Sequence, residues 1–545
     1  MLKSSGLTSS SRLGVGLILI LIGIIYLKTI LPGLGYSGDT AKFQYIGKIL
    51  GIPHAPGYPL YVLLNRIFVS LPVKNVAFRA NFMSLFFGLL TLIFLYLILL
   101  ESEIPFFLAL GSTLSLAFNL TFWSQSLVAE VYTLNSFFLA LIVFFLTRWL
   151  KKGNDRFFFL ALFFSGLSLA HHLTIVLTFP ALVCLLLLFR PHLLLLAKTW
   201  RAGLLSLFAG LLPYLFLFIR TRWRAPYVEA PVRNMGEFLR TLTAQRFQEK
   251  LFVFNLRELF LERLPWFGQH LTTELSWPLL LICLFGLIYW LHSRRPLALF
   301  LLIFFFSQVL FILNYDIPDI AVFFIPVYFV LTIFLAAGWC WLKLKVDRFV
   351  ERGRKLRLKP WLATSIPFFC LIASFSFLFS HFSQARMSSV DVYDGRLNAL
   401  FDSFQPGRVA IVLPANYHES QFFNYKIYVD YPQLLVLRFD LDPREKFLSQ
   451  LKRKLNREIR GNKTLKALLF ENCGQATSPE ILVSRFWSEA FRSQREEILA
   501  SVYFVSPSLR QWLADQGIRT RKIISAEKKR RRFFAYYQAL VPPDF

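Results

Sequence analysis

Cysteine is scarce in this sequence, and its five residues lie far apart. Cys184, Cys283, Cys340, Cys370 and Cys473 show neither the spacing of a disulfide framework nor that of a metal knot. Acidic residues are also few, with 32 Asp and Glu against 60 Lys and Arg, a formal net charge of +28. No Gly-rich loop of the P-loop kind occurs, which argues against ATP-driven transport. Neither a zinc-ligand motif nor a GxSxG nucleophile elbow is found. No internal repeat stands out, which argues against the repeated architecture of a secondary transporter or flippase.

What the chain has instead is apolar length. Hydrophobic residues make up 56%, mean hydropathy is +0.52, and Phe alone occurs 61 times. The apolar residues come in runs of about 18 to 22, enough to cross a bilayer core. The run from Gly14 to Ile30 lacks a convincing small-x-small cleavage site and is followed by further runs, so it reads as a retained helix. Hydropathy places about eleven spans, centred near residues 22, 90, 113, 138, 163, 181, 210, 285, 305, 331 and 371. With most of the chain in lipid, the basic excess is explained by topology, and nucleic acid is not an expected partner.

Orientation follows the basic residues at the span ends. With Lys3 and Arg12 in the cytoplasm, the inner loops carry Arg148, Lys151, Lys152 and Arg156, then Arg190, Lys198 and Arg201, then Arg294 and Arg295. The Lys343–Lys359 cluster completes the inner side. Every polar stretch of unusual composition then falls outside: "YSGDTAKFQYIGKILGIPHAPGYPLY" (36–61), "TFWSQSLVAEVYTLN" (121–135), "AHHLT" (170–174), "IRTRWRAPY" (219–227) and "NYDIPD" (314–319). A chemically rich face opposite a bland one points to a site at the outer leaflet.

Composition changes near His381. Residues 1–382 form the expected membrane domain, and 383–545 have the polarity and length of one soluble domain. Residues 408–414, 433–439 and 467–471 read as short buried strands and 444–459 as an amphipathic helix, so the soluble domain is α/β and lies outside. The "EKKRRR" run (527–532) is a solvated face or touches anionic head groups.

Several residues carry two readings. Asp39 either serves function or, with Ser37 and Gly38, caps a short helix from Thr40 to Leu50 along the membrane surface. His54 sits in the rigid "HAPGYP" turn, where it either binds a ligand or satisfies a backbone group. Glu130 is expected within the fourth span, on one helical face with Trp123, Ser126 and Thr133. A carboxylate there is costly unless it faces a wet cavity or pairs with an arginine such as Arg79 or Arg220. Adjacent helical residues point about 100° apart, so only one of His171 and His172 is expected to face a cavity. Arg220, Arg222 and Arg224 lie outside against the positive-inside trend and call for a phosphate or an anionic lipid. Tyr315 and Asp316 belong to a loop whose Asp and Pro are ordinary turn residues.

The segments "SGDTAKFQYIGKILGIPHAPGYPLYVLLNRIFVSLP", "FRANFMSLFFGLLT", "FWSQSLVAEVYTLN" and "NYDIPDIAVFFIPVY" resemble, in type and order, the membrane family catalogued as domain of unknown function 2723. Its animal members are protein O-mannosyltransferases of the GT-C glycosyltransferase superfamily. The resemblance covers residues 1 to about 340. The family usually has HPPGYP where this chain has HAPGYP. It implies a polytopic GT-C-like fold and an inverting transfer of a sugar, mannose among the candidates, from a polyprenyl phosphate to a hydroxyl. The acceptor would be Ser or Thr of exported proteins, or a glycan or lipid. By matched position it gives Asp39 the catalytic role; beside it, Glu130 would orient a partner of Asp39, hold a sugar hydroxyl or accompany a metal. A sugar-phosphate head at the interface needs cations and hydrogen-bond donors, for which the candidates are His54, Arg79, His171, His172, Arg220, Tyr315 and Asp316. A divalent cation is left open, since some relatives need one and others do not. A bacterial inner membrane is the expected location, or the endoplasmic reticulum in a eukaryote. The other readings are a glycan ligase or polymerase, and a flippase for lipid-linked sugar.

Overall fold

The structure, a computed structural model, describes residues 9–35, 39–352, 361–387, 398, 401–402, 409–413, 417–433, 435–438, 502–504, 519–525 and 535–540. They fall into two compact units. One comprises Met1–Pro32 and Ile46–Val390, the other Gly33–Tyr45 and Asp391–Phe545.

The first unit is helical, as a chain in lipid must be to satisfy its own backbone groups. In chain order it runs α1 (Arg12–Thr29), then α2 (Thr40–Ile49), within which the division between the units falls, and α3 (Pro59–Val69). Next come α4 (Val76–Glu101), α5 (Phe106–Ala117), α6 (Leu120–Gln125), α7 (Tyr132–Lys152) and α8 (Asp155–Leu169). They are followed by α9 (Leu173–Phe189), α10 (Ala197–Arg222), α11 (Met235–Leu242), α12 (Leu256–Leu275) and α13 (Trp277–Ser293). The unit closes with α14 (Arg295–Leu313), α15 (Ile320–Glu351) and α16 (Ser365–Ala385). Local chemistry sets the ends. Asn75 accepts from Phe78 N at 2.7 Å and starts α4. Gly153, at φ 65°, stops α7, and Asn154 then caps α8.

Among the described residues, seven helices are long and apolar enough to cross a membrane, or eight if α12 and α13 are one broken span. All eleven expected centres fall on helices. The difference lies in length: α5 has 12 residues, α8 has 15, and α9 (Leu173–Phe189) is likewise among the shorter apolar helices. At 1.5 Å per residue α5 and α8 reach only about 18 and 22 Å, short of a core of about 30 Å. Hydropathy sums apolar side chains and does not register where the backbone breaks. Here it breaks at Pro105 and again at Asn119, whose side chain accepts from Phe122 N at 3.0 Å to start α6.

Two features fix the bundle. At one end Arg148 meets Glu101 at 3.2 Å, while Glu103 meets Arg294 at 2.8 Å and Lys151 at 3.4 Å. These three cations, which the charge pattern put on one side, do gather at one end. Elsewhere α13 and α15 touch backbone to backbone. A Cβ on Gly286 would lie 1.9 Å from Phe334 O, and one on Gly338 would lie 2.0 Å from Ile282 O, so only glycine fits. Cys283 Sγ donates to Leu331 O at 3.4 Å, and Phe285 stacks on Trp341 at 5.0 Å.

The second unit holds a mixed five-stranded sheet of order β2-β1-β3-β5-β4. Its strands are β1 (Val409–Leu413), β2 (Leu435–Arg438), β3 (Val502–Phe504), β4 (Arg519–Ser525) and β5 (Ala535–Leu540). β1 pairs in parallel with β2, Val409 opposite Leu435, and with β3, while β5 runs antiparallel to both β3 and β4. Parallel neighbours need a crossover, and α17 (Tyr417–Tyr425) lies between β1 and β2 in the chain. The expected strands at 408–414 and 433–439 are thus β1 and β2. The expected strand at 467–471, the helix at 444–459 and the basic run at 527–532 lie outside the described residues.

Candidate active site

The candidate residues occupy both units. In the second, Asp39 immediately precedes α2, and its carbonyl accepts Phe43 N at 3.0 Å. Its carboxylate lies 3.1 Å from Lys42 Nζ, one turn on, with Lys42 fully buried and Asp39 about a quarter exposed (26%). Gln44 clamps the entering loop, donating to Gly33 O and accepting from Gly35 N, each at 3.0 Å. Tyr45 OH donates to Gln421 Oε1 at 2.7 Å and accepts from Asn424 at 2.8 Å, which ties this segment to α17. The helix from Thr40 forms as expected, but not as a surface helix. Lys42, Gln44 and Tyr45 are as buried as Phe43 and Ile46.

In the first unit a histidine–tyrosine cluster forms where the "HAPGYP" turn meets the α8–α9 junction. Gly57 N donates to His54 O at 2.8 Å, and Gly57 holds φ 84°, a conformation that suits glycine. His54 Nε2 lies 3.3 Å from Tyr58 OH and its Nδ1 lies 3.7 Å from Glu229. Tyr227 OH donates to the other Glu229 oxygen. Backbone pairing of Ile52 with Tyr227 (2.8 Å) and Glu229 (2.9 Å) brings that carboxylate to the turn. Tyr58 packs against both His171 (6.3 Å) and His172 (6.1 Å).

His171 and His172 lie in a turn rather than on a helix, so the 100° argument does not apply, and both are buried beside Tyr58. His171 stacks on Tyr61 at 5.9 Å and its Nε2 donates to Val131 O at 2.8 Å. Its Nδ1 is therefore the bare acceptor, buried without a partner. His172 Nδ1 bonds Thr174 Oγ1 at 2.8 Å, and Thr174 in turn accepts from Asn135 at 3.2 Å. Burial, then the neighbouring imidazole, pushes His171 down to about 3. Burial, then His54, pushes His172 down to about 4, so both rings are neutral at pH 7.

Glu130 differs from its expected place. The helix is broken between Gln125 and Tyr132, so Glu130 stands in a loop before α7 and shares no helical face with Trp123 or Thr133. Side chains of α4 replace the missing helical bonds: Asn81 Oδ1 accepts Ala129 N at 2.8 Å, and Ser84 Oγ accepts Glu130 N at 3.2 Å. A carboxylate just ahead of a helix is favoured by its dipole, and Glu130 is buried there.

Of the two readings of Glu130, the pairing with Arg79 or Arg220 is not the one formed. Arg79 donates to Asn75 O at 3.3 Å and to Leu71 O. Arg220 donates to Leu50 O at 2.8 Å and Ile49 O at 3.1 Å, closing the end of α2. Both guanidinium groups thus bond backbone carbonyls rather than Glu130. Tyr315 packs on Phe311 at 5.0 Å, and Asp316 N donates to Lys250 O at 3.0 Å. Their loop reaches the cluster through Asp319, which accepts from Tyr132 OH at 3.3 Å, and through Phe323, 5.8 Å from His172. Glu229, Tyr132 and Asp319 carried no signal in the sequence beyond lying in the polar outer stretches or next to them. Among the described residues, no group of three or more His, Cys, Asp or Glu is arranged to hold a metal ion.

Residues 39–194 match the family model described as the Protein O-mannosyl-transferase TMEM260 N-terminal domain. Over this segment the chain is similar to protein O-mannosyltransferases. Protein O-mannosyl-transferase TMEM260 of Mus musculus is 32% identical over 208 residues, 35% of this chain and 28% of the relative. The tmem260 protein of Dictyostelium discoideum is 27% identical over 218 residues, 36% of this chain and 26% of the relative. The chain thus matches only about a quarter of the length of these relatives. In overall fold it resembles ArnT from Cupriavidus metallidurans, with TM-scores of 0.59 bound to undecaprenyl phosphate and 0.61 in the apo state. Identity is 10% in both, over 98% of this chain and 99% of ArnT. Asp39, His54, Arg79, Glu130, His171 and His172 lie inside the matched segment; Arg220, Tyr315 and Asp316 lie beyond it.

Proposed function

We propose that this protein is an inverting glycosyltransferase that moves a sugar, mannose in the first instance, from a polyprenyl phosphate to a hydroxyl acceptor. The acceptor class is Ser or Thr of exported proteins, and the reaction takes place at the outer face of the membrane. The observation that carries the reading is a coincidence: the segment similar to protein O-mannosyltransferases also holds Asp39 and the buried histidine–tyrosine cluster. A lipid-linked donor is supported by the ArnT fold, one member of which was solved with undecaprenyl phosphate.

In this mechanism Asp39 accepts the proton of the acceptor hydroxyl as its oxygen attacks the anomeric carbon. The bond from that carbon to the phosphate oxygen breaks, its electron pair leaves with the polyprenyl phosphate, and one displacement inverts the centre. His54, the neutral His172 and the tyrosines suit hydrogen bonding to sugar hydroxyls and phosphate oxygens, and Glu130 holds a sugar hydroxyl or a partner of Asp39. Arg79, Arg220, Tyr315 and Asp316 serve as donor ligands or as the frame around them. The N-terminus faces the cytoplasm and the second unit the outside, in a bacterial inner membrane or the endoplasmic reticulum.

The test is transfer by purified protein from polyprenyl-phosphate mannose to a Ser/Thr peptide, read by mass spectrometry beside Asp39→Asn. Transfer by the wild type, lost in a folded variant that still binds donor, is the expected result. Equal turnover in both would remove Asp39 from the chemistry and favour a ligase. Donor binding without turnover of any polyprenyl-phosphate sugar would favour transport.

A further inference from the structure

Helices α12 and α13 meet at Ser276 with a bend of 96°. Such a pair is either a span broken in two or a span preceded by a helix lying flat. α13 has 17 residues, about 26 Å of helix, nearly a bilayer core by itself. Through Gly286 and Gly338 it is packed directly along α15, a span candidate of 32 residues. The turn of 96° therefore carries α12 across the direction of the spans.

The side chains of α12 divide accordingly. One side is fastened to the bundle. Arg263 donates to the last carbonyls of α14, Leu313 O at 3.1 Å and Ile312 O at 2.9 Å, and to Tyr315 O at 3.1 Å. Phe267 stacks on Phe324 at 5.2 Å. The Glu274 carboxylate accepts Leu120 N at 2.8 Å and Thr121 N at 3.1 Å, capping α6. In its first half the outward side is largely apolar, with Leu256 73% and Phe260 and Leu261 each 64% exposed, while Glu262 beside them and Gln269 and Thr273 further on are exposed polar groups. Trp277 and Leu281 of α13 and Leu310 of α14 are also exposed, and face lipid if these helices span. Lys250 and Arg257 flank it, suited to head-group phosphates.

We propose that α12 is an in-plane helix whose Leu256–Leu264 edge is sunk at the boundary between head groups and acyl chains, so that its partner is the lipid surface. Because Arg263 holds the carbonyls on either side of the loop entry, the bilayer then anchors the segment that carries Tyr315 and Asp316.

The test uses the full chain in nanodiscs, with Cys184 and Cys473 replaced by serine. Single cysteines at Leu256, Phe260 and Leu264 carry a bimane label, and Phe306→Cys, midway along α14, is the deep control. Lipids spin-labelled near the head group or near the chain end serve as quenchers. All three α12 positions should be quenched about twofold more by the shallow label, at depths within a few Å of one another. Phe306→Cys should show the reverse. A depth that changes by about 12 Å from 256 to 264, at 1.5 Å per residue, means a dipping helix and overturns the proposal. Absence of quenching by either label overturns it as well. Hydroxyl-radical labelling of the unmodified protein in nanodiscs gives a readout free of variants: Phe260 should be protected, and heavy oxidation there refutes the placement.

Discussion

The two neutral histidines behind Tyr58 make the fold sensitive to acid. In the unfolded chain an imidazole titrates near 6.5. Burial pushes His171 down to about 3 and His172 to about 4 in the fold. Between these limits the unfolded chain binds protons that the folded chain does not, so stability falls as pH drops below 6.5 and stops falling below the folded values. The slope approaches about 1.4 kcal/mol per pH unit for each ring. From pH 7.5 to 5.5 each histidine loses about 1.4 kcal/mol, together about 2.5 to 3 kcal/mol. A proton on His171 would enter at Nδ1, which has no acceptor, and this adds to the cost. The assay is thermal unfolding in detergent at pH 7.5, 6.5 and 5.5, for the wild type and a His171→Gln/His172→Gln variant. Carboxylates titrate alike in both, so the difference in slope isolates the pair. The wild type should lose markedly more stability on acidification. Parallel pH curves for the two proteins would refute the neutral-pair reasoning.

Three further outcomes follow from the packing and the cluster. Gly338→Leu forces apart helices that meet at backbone distance and should cost about 3 kcal/mol or more, visible as a lowered midpoint in thermal scanning; an unchanged midpoint would contradict the close crossing. Glu274→Ala removes the acceptor for Leu120 N, Thr121 N and the Thr121 hydroxyl and should cost about 2 to 4 kcal/mol, with Glu274→Gln costing less in the same scan. His54→Ala removes a group bonded to Tyr58 and set beside Glu229; in the proposed reaction it should raise the KM for donor more than it lowers kcat, and an effect on kcat alone would place His54 elsewhere in the cycle.

Much of the bundle was legible because hydropathy and capping act over a few residues. All eleven centres, the helix from Thr40 and the first two strands were readable in this way. The polar stretches of the sequence also come together in space: His54, His171 and His172 converge, joined by the loop after Asn314. Less was legible where a side chain from a distant helix outcompeted the local pattern. The face of Trp123, Ser126, Glu130 and Thr133 was a sound helical reading, yet Asn81 and Ser84 of α4 take the backbone bonds that would have kept that helix whole.

By itself, then, the sequence determined a chain of apolar helices followed by a polar α/β region, with its chemistry gathered in a few polar segments. These are properties of composition and short-range periodicity. Tertiary structure alone decided which groups face one another. It set Glu229 against His54, gave Arg79 and Arg220 to backbone carbonyls, neutralised His171 and His172 by burial, and placed Gly33–Tyr45 with the C-terminal unit. Each depends on contacts between residues far apart in the chain, and on the loss of water around them, which no local window of sequence records.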